Sequence, residues 1–200
     1  VRTILFKQFA NPSGLLGKIL GKVMVRSNQE LNLWTISLLQ IKEDDNILEI
    51  GFGPGMALEL ASKKAPKGLI AGIDCSEVMF KQAKARNMKD VKNGKIDLRL
   101  AKVEEFPPFN FKFDKVFAVN SFMFWRDPVL ALLNIRKFMN KNGWIGLTVQ
   151  QEYKRATNET AKELIKKIEM SLVEAGFSEI AIETKRMKPA SGICVLAKNV

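Results

Sequence analysis

The 200-residue sequence contains no histidine, which removes the commonest general base and the commonest transition-metal ligand together. Histidine-based triads and HExxH zinc sites are thereby excluded. Its two cysteines, Cys75 and Cys194, stand far apart without CxxC spacing, so neither a disulfide framework nor a thiol metal or redox centre is available. A reducing, cytoplasmic setting is expected. Tyr153 is the single tyrosine. No apolar run approaches the roughly 18 residues of a membrane-spanning helix, because Lys, Arg, Asp or Glu interrupts every candidate. The chain is not expected to span a bilayer, and its leading apolar segment lacks the small-residue cleavage site of a signal peptide.

What is present suffices for one compact unit. With 46% hydrophobic and 26% charged residues, the chain has the composition of a globular domain able to bury a core unaided. Basic residues outnumber acidic ones by 32 to 21, and the net charge of +11 favours acidic partners through its long-range field. Residues 62–92 carry eight of the cations (Lys63, Lys64, Lys67, Lys81, Lys84, Arg86, Lys89, Lys92) against three acids. Helical spacing assigns most of them to solvated faces, with a nucleic-acid footprint as the alternative.

Residues 14–25 place Leu15, Leu16, Ile19, Leu20, Val23 and Met24 at the i, i+3/i+4 spacing of an amphipathic helix. Such a helix is expected to pack on its own domain, and Lys18 and Lys22 beside its Leu-rich face make peripheral membrane contact through residues 15–25 the competing reading. Ser27 followed by Glu30 has the spacing of a capping box for a second helix, through about Gln40. From Asn46 onward short apolar runs alternate with helical periods, the pattern of a parallel sheet with crossover helices. Strands are expected at 46–50, 68–73, 96–101, 113–119 and 143–150, with helices at 56–64, 76–88 and 128–140, the last capped by Asp127 and opened by Pro128. A further helical face runs through Ala161, Leu164, Ile165, Ile168 and Leu172 to a Gly176 stop. Two strands follow, 177–185 and about 192–198, and the short link between them is expected to return the last strand antiparallel. The division is a helical cap over 1–44 and one α/β domain over 45–200.

The segment Glu49-Ile-Gly-Phe-Gly-Pro-Gly55 leaves a strand, turns, and enters a helix. Glycine permits positive φ and close approach of a ligand to backbone N–H groups, so this geometry cradles a nucleotide-sized group. The spacing is GxGxG, with Met56 where a dinucleotide loop carries its third glycine, and there is no Walker lysine. Asp74 ends the next strand at the same edge of the sheet. A carboxylate there can accept from two ribose hydroxyls, at about 1.5–3 kcal/mol for each charged hydrogen bond. Its alternative role is to cap the helix beginning near Ser76.

These residues, with Gly72-Ile-Asp-Cys-Ser76, Phe113-Asp-Lys-Val-Phe-Ala-Val-Asn120 and Met139-Asn-Lys-Asn-Gly-Trp-Ile-Gly146, resemble the class I S-adenosylmethionine-dependent methyltransferases in order and spacing over roughly residues 45–150. The similarity is greatest to the small-molecule and quinone-type branch. It implies a Rossmann-like seven-stranded α/β sheet in the order 3-2-1-4-5-7-6, with S-adenosyl-L-methionine across the carboxyl ends of strands 1 and 2. It further implies that Gly51, Phe52, Gly53, Pro54 and Gly55 line the methionine part, that Glu49 braces the loop, and that Asp74 holds the ribose. Cys75 and Met79 would flank the adenine, and Asn120 and Ser121 would face the sulfonium. Where family members carry an adenine-contacting Asp this chain has Lys102, which cannot accept a hydrogen bond, leaving Val103 and Glu104 as substitutes.

Without histidine, a base for the acceptor must be a carboxylate, lysine or tyrosine, and Glu152 and Tyr153 follow the fifth strand where acceptor sites in this fold lie. Phe124 and Trp125, beside Phe122, suggest an apolar pocket mouth, with packing against the next helix as the alternative. Amino methylation of adenine calls for an Asn/Asp-Pro-Pro-aromatic turn after the fourth strand, and this turn reads Asn120-Ser-Phe-Met-Phe-Trp125. A small, partly apolar acceptor is therefore expected. An RNA or protein acceptor and a non-catalytic cofactor-binding domain remain open alternatives. The motifs do not encode the oligomeric state.

Overall fold

The computed structural model describes residues 12–150, 158–188 and 190–200. Two leading helices, α1 (Gly14–Ser27) and α2 (Gln29–Leu38), precede β1 (Ile47–Ile50), α3 (Met56–Lys64), β2 (Ile70–Asp74), α4 (Glu77–Arg86), α5 (Met88–Lys92) and β3 (Ile96–Leu100). Then come β4 (Phe113–Val119), a 3₁₀ turn (Phe122–Phe124), α6 (Pro128–Lys137), β5 (Met139–Gln150), α7 (Asn158–Glu174), β6 (Phe177–Lys185) and β7 (Gly192–Asn199). The seven strands form one sheet in the order β3-β2-β1-β4-β5-β7-β6, the order the resemblance implied. Strands β1 to β5 pair in parallel, and β7 runs antiparallel to both β5 and β6, as its short link to β6 predicts.

Alternation along the central strands divides the core in two. Leu48, Ile50, Val116 and Ala118 join Leu132, Ile135, Ile168 and Leu172 on the α6–α7 side. Ile47, Phe117 and Val119 join Leu31, Ile36, Leu58, Ala61 and Ala83 on the α2–α3–α4 side. Both faces are covered, so these strands read as continuous apolar runs rather than alternating ones.

Several boundaries differ from the sequence expectation: the second helix stops at Leu38, and the helix expected over 128–140 stops at Lys137 because Met139 already pairs in the sheet. Ser27 closes α1 instead of capping α2, and Asn28, its backbone off the helical region, stands between the helices without a side-chain cap bond; the expected capping box does not form. The helix expected over 76–88 ends at Arg86, because the Asn87 side-chain amide donates back to the Ala83 carbonyl at 3.0 Å and across to the Gly55 carbonyl at 2.9 Å. Strand β5 begins at Met139 rather than 143. Its first residues pair with Phe113, then slip at a bulge where Asn142 takes φ +66°, and regular pairing resumes with Lys115 opposite Trp144. Asp127 caps α6 as expected, accepting from the backbone N–H of Leu130 at 3.0 Å, and Ser76 rather than Asp74 caps α4, accepting from that of Met79 at 3.2 Å.

Four of the eight cations of the basic stretch make ion pairs among the described residues, Arg86 among them with Glu59 at 3.5 Å. Lys63 pairs with Glu59, Lys67 with Glu43 and Lys81 with Glu77, all solvent-exposed. No helix among the described residues is long and apolar enough to cross a membrane.

Candidate active site at the carboxyl edge of the sheet

At the carboxyl ends of β1, β2 and β4 the chain leaves the sheet through Gly51, Asp74 and Asn120. Gly51, Gly53 and Gly55 all take positive φ, at +75°, +50° and +78°. They do so for different reasons. A Cβ on Gly51 would lie 2.5 Å from the Ser121 Cβ, so that glycine permits the β4 loop to seat against the β1 loop, where Ser121 donates to the Ile50 carbonyl at 2.9 Å. A Cβ on Gly55 would meet Ala83 and Asn87 at 2.7 Å, so its role is close packing of the loop on α4. Only Gly53 has room, its nearest neighbour being the Met24 methyl at 3.6 Å from such a Cβ. Arg86 secures the loop from outside, donating to the Pro54 carbonyl at 3.1 Å.

The Asp74 carboxylate accepts from the Gly53 N–H at 2.8 Å and the Ser76 N–H at 2.8 Å, tying the end of β2 to the middle of the glycine loop. Burial raises its pKa, against the lowering effect of the Ser76, Gly53 and Cys75 backbone N–H groups. Ser76 is the helix cap, so Asp74 is left for the loop and for whatever the loop holds. Glu49 is buried beneath, and its Oε2 has no hydrogen-bond partner. Burial first, then the nearby Asp74 charge, push its carboxyl well above the ordinary range, opposed by a backbone bond from Leu58. An orphaned carboxylate oxygen below a glycine loop, and a carboxylate at its lip, form a site for a cationic, hydroxyl-bearing ligand. S-adenosylmethionine, with an ammonium, a sulfonium and a ribose, fits that donor and acceptor set.

Asn120 directly follows β4 with φ +52°, a conformation that asparagine adopts more readily than most residues. Its backbone turns away from the sheet, and its side chain replaces the lost ladder bond: Oδ1 accepts from the Gln150 N–H at 2.8 Å. The amide nitrogen faces the cap, 3.3 Å from the Asn28 Oδ1. Gln150 is itself buried, donating to the Ala190 carbonyl at 2.6 Å, and its Oε1 is unpartnered. The cap is also pinned at Thr35, whose hydroxyl lies 2.8 Å from that of Thr148, and at Pro12, whose carbonyl accepts from Ser76 at 2.5 Å.

Other expected site residues fall in varied places. Phe52 is buried, a Cβ on Gly72 coming within 2.7 Å of its ring, so only its backbone belongs to the loop surface. Met79 and Val103 are buried, whereas Cys75 and Lys102 are exposed. Although the Cys75 residue is exposed, its thiol is partly covered by the surrounding chain, and that burial and then the Asp74 charge push it up. Glu104 accepts from the Arg126 N–H at 2.8 Å, ahead of α6. Of the aromatics, Phe122 and Trp125 pack together in the core with ring centroids 5.1 Å apart, and Phe124 is half-buried. Trp125 thus packs among the core residues on the α6–α7 side. Glu152 and Tyr153 lie outside the described residues. Met24, Asn28, Asn87 and Gln150 had no motif to announce them. Asn120 was announced by the resemblance, as the last residue of the Phe113–Asn120 segment.

Residues 47–143 match a methyltransferase domain family. The chain is 35% identical over 182 residues to the uncharacterized methyltransferase YdaC of Bacillus subtilis, covering 90% of this chain and 98% of that one. A SAM-dependent methyltransferase from Aquifex aeolicus superposes with a TM-score of 0.73 at 19% identity, covering 90% of this chain and 96% of that chain. The N-methyltransferase NodS of Bradyrhizobium japonicum, solved with S-adenosylhomocysteine, superposes with a TM-score of 0.67 at 16% identity, covering 86% of each chain. Strand order, glycine loop, the carboxylate pair and these relatives agree: the chain belongs to the class I S-adenosylmethionine-dependent methyltransferases.

Proposed function

We propose that this methyltransferase acts on a small, partly apolar acceptor held between the cap of residues 1–44 and the carboxyl ends of β4 and β5 in the domain of residues 45–200. The observation that carries this reading is the seating of the cap: Met24 lies over Gly53 and Asn28 meets Asn120, so an acceptor reaches this edge beneath a helical roof. S-adenosylmethionine, when bound, supplies a methyl group already activated on a sulfonium, and what is left to the protein is placement. Alignment of reacting atoms contributes about 7–11 kcal/mol in favourable cases.

In this reading Asp74 accepts from the ribose hydroxyls and Glu49 balances cationic charge from below the loop. Gly51 and Gly53 present backbone, with Phe52, Pro54 and Gly55 keeping the loop's shape. Cys75, Met79, Lys102, Val103 and Glu104 border the adenine end. Asn120 and Ser121 stand at the reacting end, and Phe124 lines the acceptor's approach. Glu152 and Tyr153 are the candidate proton acceptors.

Calorimetric titration with S-adenosylmethionine, S-adenosylhomocysteine and NAD tests the cofactor half. Binding of the two sulfur ligands and not NAD, abolished by Asp74→Ala, is expected; NAD binding instead overturns the assignment. For the acceptor half, methyl release is followed against amines, phenols, quinols, RNA and peptides. Turnover confined to RNA or peptide, falling steeply with salt, would replace the small-acceptor reading.

A further inference from the structure

Helix α1 is packed the reverse way for a helix that merely covers its own domain. Its inward face is glycine: Gly17 and Gly21 are buried, a Cβ on Gly17 would come within 2.8 Å of the Pro12 carbonyl carbon, and one on Gly21 would overlap the Gln82 side chain of α4. Its outward face is aliphatic. Leu16, Ile19 and Val23, at i, i+3 and i+7, are 60%, 56% and 57% exposed. An amphipathic surface helix folded onto a core buries that stripe and exposes its small and polar residues. The same helix carries Lys18, Lys22 and Arg26 at every fourth position and no acid, in a chain of net charge +11.

We propose that the Leu16–Ile19–Val23 stripe of α1 docks on an anionic lipid surface. The aliphatic side chains enter the boundary between headgroups and acyl chains, and the basic residues of the helix meet the lipid phosphates. A protein partner fits less well, because three side chains fall far short of the roughly 800 Å² per partner of a stable interface. A bilayer sets no such minimum. The inference stands apart from the identity of the acceptor, yet the two meet in one helix: Val23 faces outward while its neighbour Met24 lies over Gly53.

The test is co-sedimentation of the full chain with vesicles of phosphatidylcholine alone and of phosphatidylcholine mixed with phosphatidylglycerol. Binding to the mixed vesicles only, weakening as salt is raised, is expected. Leu16→Asp/Ile19→Asp abolishes it, and Lys18→Glu/Lys22→Glu weakens it by roughly 30-fold or more, from about one lysine's contribution per site. Circular dichroism melts establish that each variant folds. No binding to either vesicle, equal binding to both, or binding untouched by Leu16→Asp/Ile19→Asp overturns the proposal. So does a dimer seen by light scattering that Leu16→Asp dissociates, which would assign the stripe to a second copy. S-adenosylhomocysteine titration of the same samples separates the two ideas: a chain that binds this ligand but no vesicle overturns the docking alone.

Discussion

Gly55 and Gly94 have nearly the same backbone, φ +78° and φ +73°, and opposite surroundings. A Cβ on Gly94 meets nothing within 4 Å, whereas one on Gly55 meets Ala83 and Asn87 at 2.7 Å. Gly94→Ala is therefore expected to cost only the left-handed backbone penalty, about 1–2 kcal/mol, and Gly55→Ala to add about 1–3 kcal/mol of overpacking. Urea denaturation of the two variants measures the difference directly. A second prediction concerns Glu49. Its folded pKa is raised, so its contribution to stability is fully present below the unfolded value and is lost as pH rises through the folded value. Glu49→Gln should flatten that decline while weakening cofactor binding. In the parent protein, binding a cationic ligand beside Glu49 should favour the ionised form and release protons. Calorimetry in buffers of different ionisation enthalpy reads that release, and Glu49→Gln should reduce it.

The joint between the cap and the sheet is an element-scale feature, because it depends on where a helix ends and where a strand stops. Asn120→Ala strands the Gln150 N–H and removes the Asn28 contact, and a destabilisation of about 1–3 kcal/mol is expected from the lost part-buried bond. Asn28→Ala removes the outer contact and a long, exposed bond from the Ser27 hydroxyl at 3.5 Å, so its effect on stability should be within about 1 kcal/mol, with a larger effect on turnover if the roof orients the acceptor. Thermal melts and steady-state kinetics on the pair distinguish a fold role from a positioning one. Ser76→Ala is expected to cost about 1–2 kcal/mol, since one hydroxyl both caps α4 and holds the Pro12 carbonyl.

For the whole molecule, a charge of +11 spread over a small domain implies self-repulsion. Exposed pairs such as Lys63–Glu59 and Lys67–Glu43 each return little. The melting temperature should rise as sodium chloride is taken from low to physiological strength, which differential scanning calorimetry would detect.

The sheet was readable from local pattern because its strands are apolar runs and its crossovers are helical periods. The loop and Asp74 were readable because glycine and a carboxylate at strand ends carry their chemistry in their identity. The roof was not. Asn28 meets Asn120 across 92 positions, and Met24 meets Gly53 only after α1 has turned its glycines inward. The break at Asn87 escaped for the same reason: part of what stops that helix is the carbonyl of Gly55, 32 residues earlier. Likewise Asn142 shows no sign of a bulge until its strand has a neighbour to slip against.

The order β5-β7-β6 also has a consequence for synthesis. Strand β6 reaches the sheet only through β7, so while the ribosome is still making residues 186–191, β6 and α7 have been translated but the strand has no partner to pair with. Until residues 192–199 emerge, the edge of β5 stays open along the apolar run Ile145, Leu147 and Val149, a template for another nascent chain. Strand β7, made after β6, is thus the one that joins β6 to the sheet, and the interval before its arrival leaves two strands, β5 and β6, open to aggregation.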